Sequence, residues 1–365
     1  MNIRALGLTL ILLPICIGCS SEPSHDFGGP GTGAYGEKMD QVHISQARRH
    51  LSEGNTAKAR VELEQVSTEA QTAAMHLLVA ESFFREGNAY AANESITVAS
   101  HLEPENAEVD MLRGMVAEST GDWRTASKSY QLASVKDRGD IDPVLANARV
   151  LHAMGDGVRA ASYLENEVGT RPVNFDLSLA TGEAYLSIGA HQDAVTHFSN
   201  ASEMQPDDMK SREGLVLSLS LAGAHQEALN RAGTLSPDAW NSTTRLSLGR
   251  SALLVGEGQR AASMLTSYLH EFDNDPTIWL DLGRAFYMDR KDDQAMSAVG
   301  RALKLNKQDP AAFTLLGHIR LRAKQYDLAF AAYERAIQAG GDAILLTELM
   351  DRARAAKERQ EEGEL

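Results

Sequence analysis

One short pattern in the sequence contains the residue types of a hydrolytic zinc site. His270 and Glu271 open an H-E-x-x-H sequence, but the fifth position holds Asn274, so the second histidine ligand is missing. The chain also contains no G-x-S-x-G nucleophile sequence and no Walker A lysine loop. We therefore predict that His270 and Glu271 lie at a solvated helix end and that the protein is not an enzyme.

A second group of candidates is a cluster of aspartates that could bind a cation. Asp137, Asp140 and Asp142 follow one another closely, but Gly139 and Ile141 break the ligand spacing of a calcium-binding EF-hand loop. An ordinary polar loop is the favoured interpretation, and a loosely bound calcium ion is the alternative. We predict no metal site and no cofactor.

A third pattern has the spacing of a dinucleotide-binding loop. Gly31, Gly33 and Gly36 form G-x-G-x-x-G, which binds a pyrophosphate only between a strand and the first turn of a helix. The segment that precedes these glycines is an apolar leader followed by a Gly/Pro-rich stretch, so nucleotide binding is not expected.

Both cysteines of the chain lie at the end of an N-terminal apolar run, residues 5–15, which is too short to span a bilayer. The sequence from Cys16 to Cys19 resembles the lipobox of bacterial lipoproteins. The resemblance implies that residues 1–18 are a signal peptide and that Cys19 carries the lipid. An ordinary signal peptide that is cleaved nearby is the alternative. In that family Ser20 favours the outer membrane, so a lipid-anchored protein facing the periplasm is expected.

The segment after Cys19 and the overall charge bear on what the chain can contact. Residues 19–39 are rich in glycine and proline and are predicted to be a flexible tether. The chain has 35 Lys and Arg against 50 Asp and Glu, a net charge of −15. This excess of negative charge disfavours nucleic acid and anionic lipid surfaces. Membrane contact is therefore expected through the lipid anchor alone.

The rest of the chain is an internal repeat. Seven glycines recur at intervals of 33 or 34 residues, and alanines that continue the same phase occur nine times. The glycines are Gly54, Gly87, Gly121, Gly155, Gly189, Gly223 and Gly256, and the alanines are Ala59, Ala92, Ala126, Ala160, Ala194, Ala228, Ala261, Ala295 and Ala329. Each period is long enough for two helices joined at the glycine.

The period and its residue types resemble the tetratricopeptide repeat (TPR) family. A small residue occupies position 8 of every unit except one, where Val216 stands. The resemblance implies an all-α, right-handed superhelical solenoid of about nine helix-turn-helix repeats over residues 40–341, followed by a capping helix and tail at 342–365. Because one hairpin cannot bury its own apolar faces, the hairpins must stack.

In TPR proteins the first helix of each repeat lines a concave groove that binds other proteins. Here its positions 5 and 12 are mostly apolar and position 9 is mostly polar or charged. The resemblance implies a partner groove formed by Leu77, Glu81, Phe84, Met111, Leu145, Arg149, Leu179, Glu183, Leu186, Leu246, Arg250, Leu280, Arg284, Tyr287 and His318. The alternative for the apolar members is a place in the core between repeats.

A lipobox, a tether and TPR units together resemble the lipoproteins that assist assembly of Flp and type IV pili. The resemblance implies a scaffold of the cell envelope that helps to assemble a pilus or secretion machine. The alternative is a periplasmic adaptor or chaperone that holds substrates for an export or polysaccharide system. In both cases the partners are proteins bound in the groove.

Overall fold

The computed structural model describes residues 34–233, 237–269 and 271–362, and every regular element within them is helical. The predicted signal peptide, Cys19, most of the tether and His270 lie outside these ranges. The first helix begins at Ala34, so the last residues of the predicted tether are helical. Glu37, Lys38 and Met39 favour a helix, and Glu37 lies in the first turn, where a negative charge is favourable.

The chain divides into two compact units, residues 1–104 and 105–365. The described part of the first unit contains two helical hairpins. Their helices are α1 (Ala34–Ser52), α2 (Thr56–Glu64), α3 (Ala73–Arg85) and α4 (Ala89–Leu102). A 3₁₀ turn at Thr68–Ala70 precedes α3.

The described part of the second unit contains seven hairpins and a final single helix. The hairpin helices are α5 (Ala107–Ser119), α6 (Trp123–Lys136), α7 (Asp142–Ala153), α8 (Gly157–Thr170), α9 (Phe175–Ser187), α10 (His191–Met204), α11 (Met209–Leu221), α12 (His225–Ala232), α13 (Ser242–Val255), α14 (Gly258–Leu269), α15 (Pro276–Met288), α16 (Asp292–Leu305), α17 (Pro310–Arg322) and α18 (Tyr326–Gln338). The final helix α19 (Ala343–Glu361) packs on α18, and its N-cap is Asp342, the residue at which the sequence places the start of the capping helix.

The turn inside each hairpin is left-handed, whatever residue occupies it. Gly121 and Gly155 have φ angles of 78° and 80°. The last two hairpins lack the repeated glycine, and there Arg290 and Lys324 adopt φ angles of 62° and 58°. A side chain in this conformation costs about 1–2 kcal/mol. The packing of the two helices therefore fixes the turn, and glycine only makes it less costly.

In several hairpins the two helices approach closely because a glycine on the first helix faces a ring on the second. A Cβ atom on Gly114 would lie 2.5 Å from Cε1 of Tyr130, and one on Gly317 would lie 2.3 Å from Cε1 of Tyr333. Both tyrosine side chains are fully buried. Small residues at position 8 are thus the places where aromatic rings rest on helix backbone.

The unit with Val216 at position 8 has a glycine that faces a ring of the preceding hairpin instead. Gly214 lies two residues earlier, and a Cβ atom there would be 2.3 Å from Cε1 of Phe198 on α10. Gly182 faces the same ring from the other side, with a Cβ distance of 3.0 Å. Val216 is itself 1% exposed and is part of the core.

The junction between α11 and α13 differs from the others because the intervening second helix, α12, has only 8 residues. Helix α11 consequently packs directly on α13. Ser218, Thr244 and Ser251 are buried at this junction, and the hydroxyls of Ser218 and Thr244 make no hydrogen bond to any other described residue. Trp240, 3% exposed, fills the space beside them.

The close approach at position 8 can be tested with Gly317→Ala. The added methyl group would overlap the Tyr333 ring, so we expect the free energy of unfolding to fall by about 1–3 kcal/mol. The matched control is Gly300→Ala in the middle of α16, where a Cβ atom meets nothing within 4 Å. That change should raise stability by about 0.5–1 kcal/mol through helix propensity. Urea unfolding followed by circular dichroism measures both, and equal effects would contradict the packing model.

Candidate protein-binding groove

A groove of about 960 Å³ runs across the first helices of the last three hairpins, α13, α15 and α17. We call it the C-terminal groove. Its lining consists of aliphatic and aromatic side chains with a few charged groups between them. The lining residues are Arg250, Leu253, Leu254, Thr277, Leu280, Asp281, Arg284, Tyr287, Met288, Ala311, Thr314, Leu315 and His318.

The register of these helices is fixed at their N-termini by short polar caps. Asn241, Asp275 and Asp309 each accept a hydrogen bond from a backbone N–H in the first turn of the helix that follows. Pro276 and Pro310 occupy the first position of α15 and α17, where no intrahelical N–H bond is lost. Residues three and four apart along each helix then face the groove together.

A single carboxylate holds two arginines at the rim of the groove. The Nε of Arg250 donates to Oδ2 of Asp281 at 2.9 Å, and Nη1 of Arg284 donates to Oδ1 at 3.0 Å. Asp281 is 7% exposed, whereas 47% of each arginine side chain is exposed. Asp281 is the only carboxylate among the lining residues, so the lining carries two positive charges and one negative charge.

The aromatic wall of the groove is held from behind. The guanidinium of Arg322 lies 3.6 Å from the ring centre of Tyr287, and its Nη2 donates to the Tyr287 carbonyl oxygen at 2.9 Å. The same guanidinium pairs with Asp292. The Tyr287 ring is therefore fixed before any partner arrives, which reduces the entropy lost on binding.

His318 lies at the base of the groove in a largely apolar setting. Its Nδ1 is 3.0 Å from the hydroxyl of the buried Tyr333, and its ring stacks near that of Tyr287 with centres 6.4 Å apart. Burial lowers the pKa of His318 below its ordinary value, because the charged imidazolium is poorly solvated there.

Two segments of the chain match family models described as tetratricopeptide repeat, at residues 145–208 and 252–319. Both segments, which lie in the second unit, are similar to tetratricopeptide repeats. The second match contains most of the C-terminal groove. The predicted all-α TPR fold is thereby confirmed, and proteins of this fold act as scaffolds for protein–protein interaction.

Several solved structures resemble the chain at low sequence identity. A tetratricopeptide repeat protein from Parabacteroides merdae is 15% identical, with 77% of this chain and 98% of that chain covered and a TM-score of 0.39. The C-terminal part of a TPR repeat-containing protein from Cytophaga hutchinsonii is 13% identical, with 75% and 99% covered and a TM-score of 0.48. YrrB, described as a TPR protein with an unusual peptide-binding site, is 16% identical, with 61% and 98% covered and a TM-score of 0.35. No curated protein matches the chain.

The structure brings together five of the groove residues that the TPR pattern predicts. Arg250, Leu280, Arg284, Tyr287 and His318 all line the C-terminal groove. Leu280 is only 6% exposed, so it forms the floor and contributes mainly to packing.

The other predicted groove residues do not line the C-terminal groove. In the first unit Leu77 is 8% exposed, Phe84 is partly buried, and Glu81 pairs with Arg85. In the second unit the apolar ones are buried or partly buried, and the charged ones pair with a neighbouring repeat. They are Met111, Leu145, Arg149, Leu179, Glu183, Leu186 and Leu246.

Arg149 has the same repeat position as Arg250 and Arg284 but a different electrostatic setting. Its guanidinium donates twice to Glu118, with both distances 2.9 Å, and the hydroxyl of Tyr130 donates to the same carboxylate at 2.7 Å. Burial acts to raise the pKa of Glu118, but these hydrogen bonds outweigh it and the pKa lies below its ordinary value. Arg149 and Glu118 thus form a neutral pair.

Sequence reasoning missed Asp281 and the exposed apolar residues Leu254 and Met288, which are 69% and 43% exposed. A signal for Asp281 exists in the repeat alignment. No other unit has a charged residue just after position 5, so an aspartate at this nearly buried place is unusual and calls for a cationic partner. The residues there are Ser45, Leu78, Leu112, Ala146, Ala180, Gly214, Ser247 and Leu315.

The other candidates for chemistry have simpler explanations. In the aspartate loop, the backbone N–H groups of Gly139 and Asp140 donate to Asp137, and that of Asp142 donates to Asp140. Across the described ranges, no three histidine, cysteine or acidic side chains cluster as metal ligands would. None of the helices there combines the length and apolar character that crossing a bilayer requires.

The setting of His318 predicts a pH dependence of stability. Because its pKa is lower in the folded state than in the unfolded chain, the unfolded chain binds more protons as the pH falls through about 6.5. With respect to His318, the free energy of unfolding is therefore highest above that pH and declines below it. We expect His318→Asn, which keeps a hydrogen-bonding atom near Tyr333, to lose less unfolding free energy than the wild type between pH 7.5 and 5.5. The exposed His152 provides the control, since His152→Asn removes an imidazole that does not line the groove; identical profiles for all three proteins would disprove the assignment.

Proposed function

We propose that this protein is a lipid-anchored scaffold of the bacterial cell envelope that binds a segment of a partner protein in the C-terminal groove. The observation that carries the proposal is the groove itself, in which the exposed apolar side chains Leu254 of α13 and Met288 of α15 stand beside half-exposed arginines. Apolar anchors within a charged rim are the usual composition of a protein-recognition site.

The dimensions of the groove favour an elongated ligand. Helices pack about 8–10 Å apart, so three adjacent first helices present a face roughly 20 Å across. An extended segment of about six residues covers that distance. Leu254 and Met288 lie on this face with no described side chain covering them fully, and such apolar exposure commonly marks an interaction site.

We propose the cellular location of the protein from its N-terminal sequence. The lipobox ending at Cys19 supports a lipid anchor, and Ser20 supports the outer membrane with the repeats facing the periplasm. Together with the TPR fold, this supports assistance in assembling a pilus or secretion machine. The alternative, an adaptor or chaperone for export or polysaccharide substrates, would use the same groove for many clients.

Site-specific photo-cross-linking in the native bacterium tests the groove and separates these roles. A photoreactive phenylalanine derivative at Leu254 or Met288 should give one discrete cross-linked product, identified by mass spectrometry. The control position is Val158 on α8, which is 65% exposed and does not line the groove. A spread of products would favour the chaperone role. Products that are equal at Val158, or absent at both groove positions, would contradict the proposal.

The lipid anchor is tested by replacing each cysteine in turn. Cys19→Ala should abolish labelling by radioactive palmitate and move the protein out of the membrane fraction, because the acyl chains supply the membrane affinity. Cys16→Ala is the matched control and should remain lipidated. If Cys19→Ala stays lipidated, the assignment of the anchor is wrong.

A further inference from the structure

We infer that the C-terminal groove selects partner segments in which an acidic side chain lies between apolar ones, and that this carboxylate binds Arg250 and Arg284. The inference rests on the proposed function and specifies the chemistry of its partner.

The first argument is the charge balance of the groove lining. Arg250 and Arg284 share Asp281, so one positive charge is left uncompensated within the lining. The chain as a whole has a net charge of −15, so this local excess is opposite in sign to the net charge of the chain. A partner carboxylate would restore neutrality, whereas a basic partner would add repulsion.

The second argument is geometric. A guanidinium has five N–H donors, and each of the two arginines donates one of them to Asp281. Arg250 makes a further, longer contact with the Thr277 hydroxyl at 3.4 Å. Asp281 is nearly buried and holds the two forks side by side, while about half of each arginine side chain remains exposed to a ligand. Two neighbouring forks are well suited to a carboxylate.

The third argument is the contrast with similar cations elsewhere in the second unit. Arg149 is matched by Glu118, Lys210 by Glu183 and Arg322 by Asp292, each with one carboxylate to one cation. The Arg250 and Arg284 pair has one carboxylate to two cations; Asp110 likewise pairs with Arg113 and Lys136, but none of those three residues lines the C-terminal groove. Position in the repeat does not produce this difference, because Arg149 has the same position.

The apolar part of the specificity follows from what surrounds the arginines. Leu253, Leu254, Tyr287 and Met288 line the same groove, and Tyr287 is fixed by Arg322. Large apolar side chains on either side of the acidic residue would fill this surface and exclude water from the ion pair, which strengthens it.

The test begins with selection of random twelve-residue peptides by phage display on the full chain, purified from membranes in detergent. We expect the enriched peptides to carry Asp or Glu between large apolar residues. The best peptide and its Glu→Gln counterpart are then synthesised, and their dissociation constants are measured by fluorescence anisotropy.

Single substitutions are used so that the variants still fold. Arg250→Met or Arg284→Met leaves one arginine on Asp281, so the buried carboxylate is never orphaned, and the groove becomes neutral. Each substitution should raise the dissociation constant of the acidic peptide roughly tenfold, about 1.4 kcal/mol. On these variants the Glu→Gln peptide should bind nearly as well as the acidic peptide, because both changes remove the same ion pair. Arg149→Met is the matched control and should bind within about twofold of the wild type.

The outcomes separate the inference from the proposed function. The inference is overturned if the enriched peptides are neutral or basic. It is also overturned if acidic peptides bind with unchanged affinity to both arginine variants. If those peptides still lose affinity with Leu254→Asp or Met288→Asp, the groove binds proteins and the proposed function stands. If no enriched peptide responds to any substitution in the groove, the proposed function fails as well.

Discussion

The contact on which the fold depends is an aromatic or large aliphatic side chain resting on the backbone of the paired helix. Tyr130 on Gly114, Phe198 between Gly182 and Gly214, and Tyr333 on Gly317 all show it. Because no Cβ separates the two helices there, these hairpins are thin and present two apolar flanks to their neighbours. The positions left over on the first helices then become available as a binding surface.

The C-terminal groove shows how such a surface acquires specificity. Each repeat has one side chain at position 9, but the charge environment of that side chain depends on the residues of the neighbouring hairpin. Glu118 neutralises Arg149, whereas Asp281 serves Arg250 and Arg284 together. The scaffold therefore repeats in shape while its electrostatics vary from hairpin to hairpin, and recognition can be confined to one part of the array.

Much of the fold follows from periodicity, because a spacing of 33 or 34 residues fixes helix, turn and phase together. The groove was only partly predictable. Periodicity places Leu77 and Leu179 on the inner helices, yet whether they face a partner or the next hairpin depends on the distance between repeats, and both are more than 90% buried. The role of Asp281 could not be predicted, because two arginines from different hairpins converge on it. A sequence pattern does not contain the distances between those side chains.

The junction of α11 and α13 buries hydroxyl groups within a continuous apolar cluster of the second unit. Hydroxyl groups replace methyl groups there, those of Ser218 and Thr244 make no hydrogen bond with other described residues, and α12 is too short to cover the seam fully. Buried polar groups without a partner weaken the packing around them, so the junction is less stable than its apolar surface alone would make it. Helix α13 packs on α11 at this junction and also lines the C-terminal groove, so a local weakness here reaches the first helix of the groove.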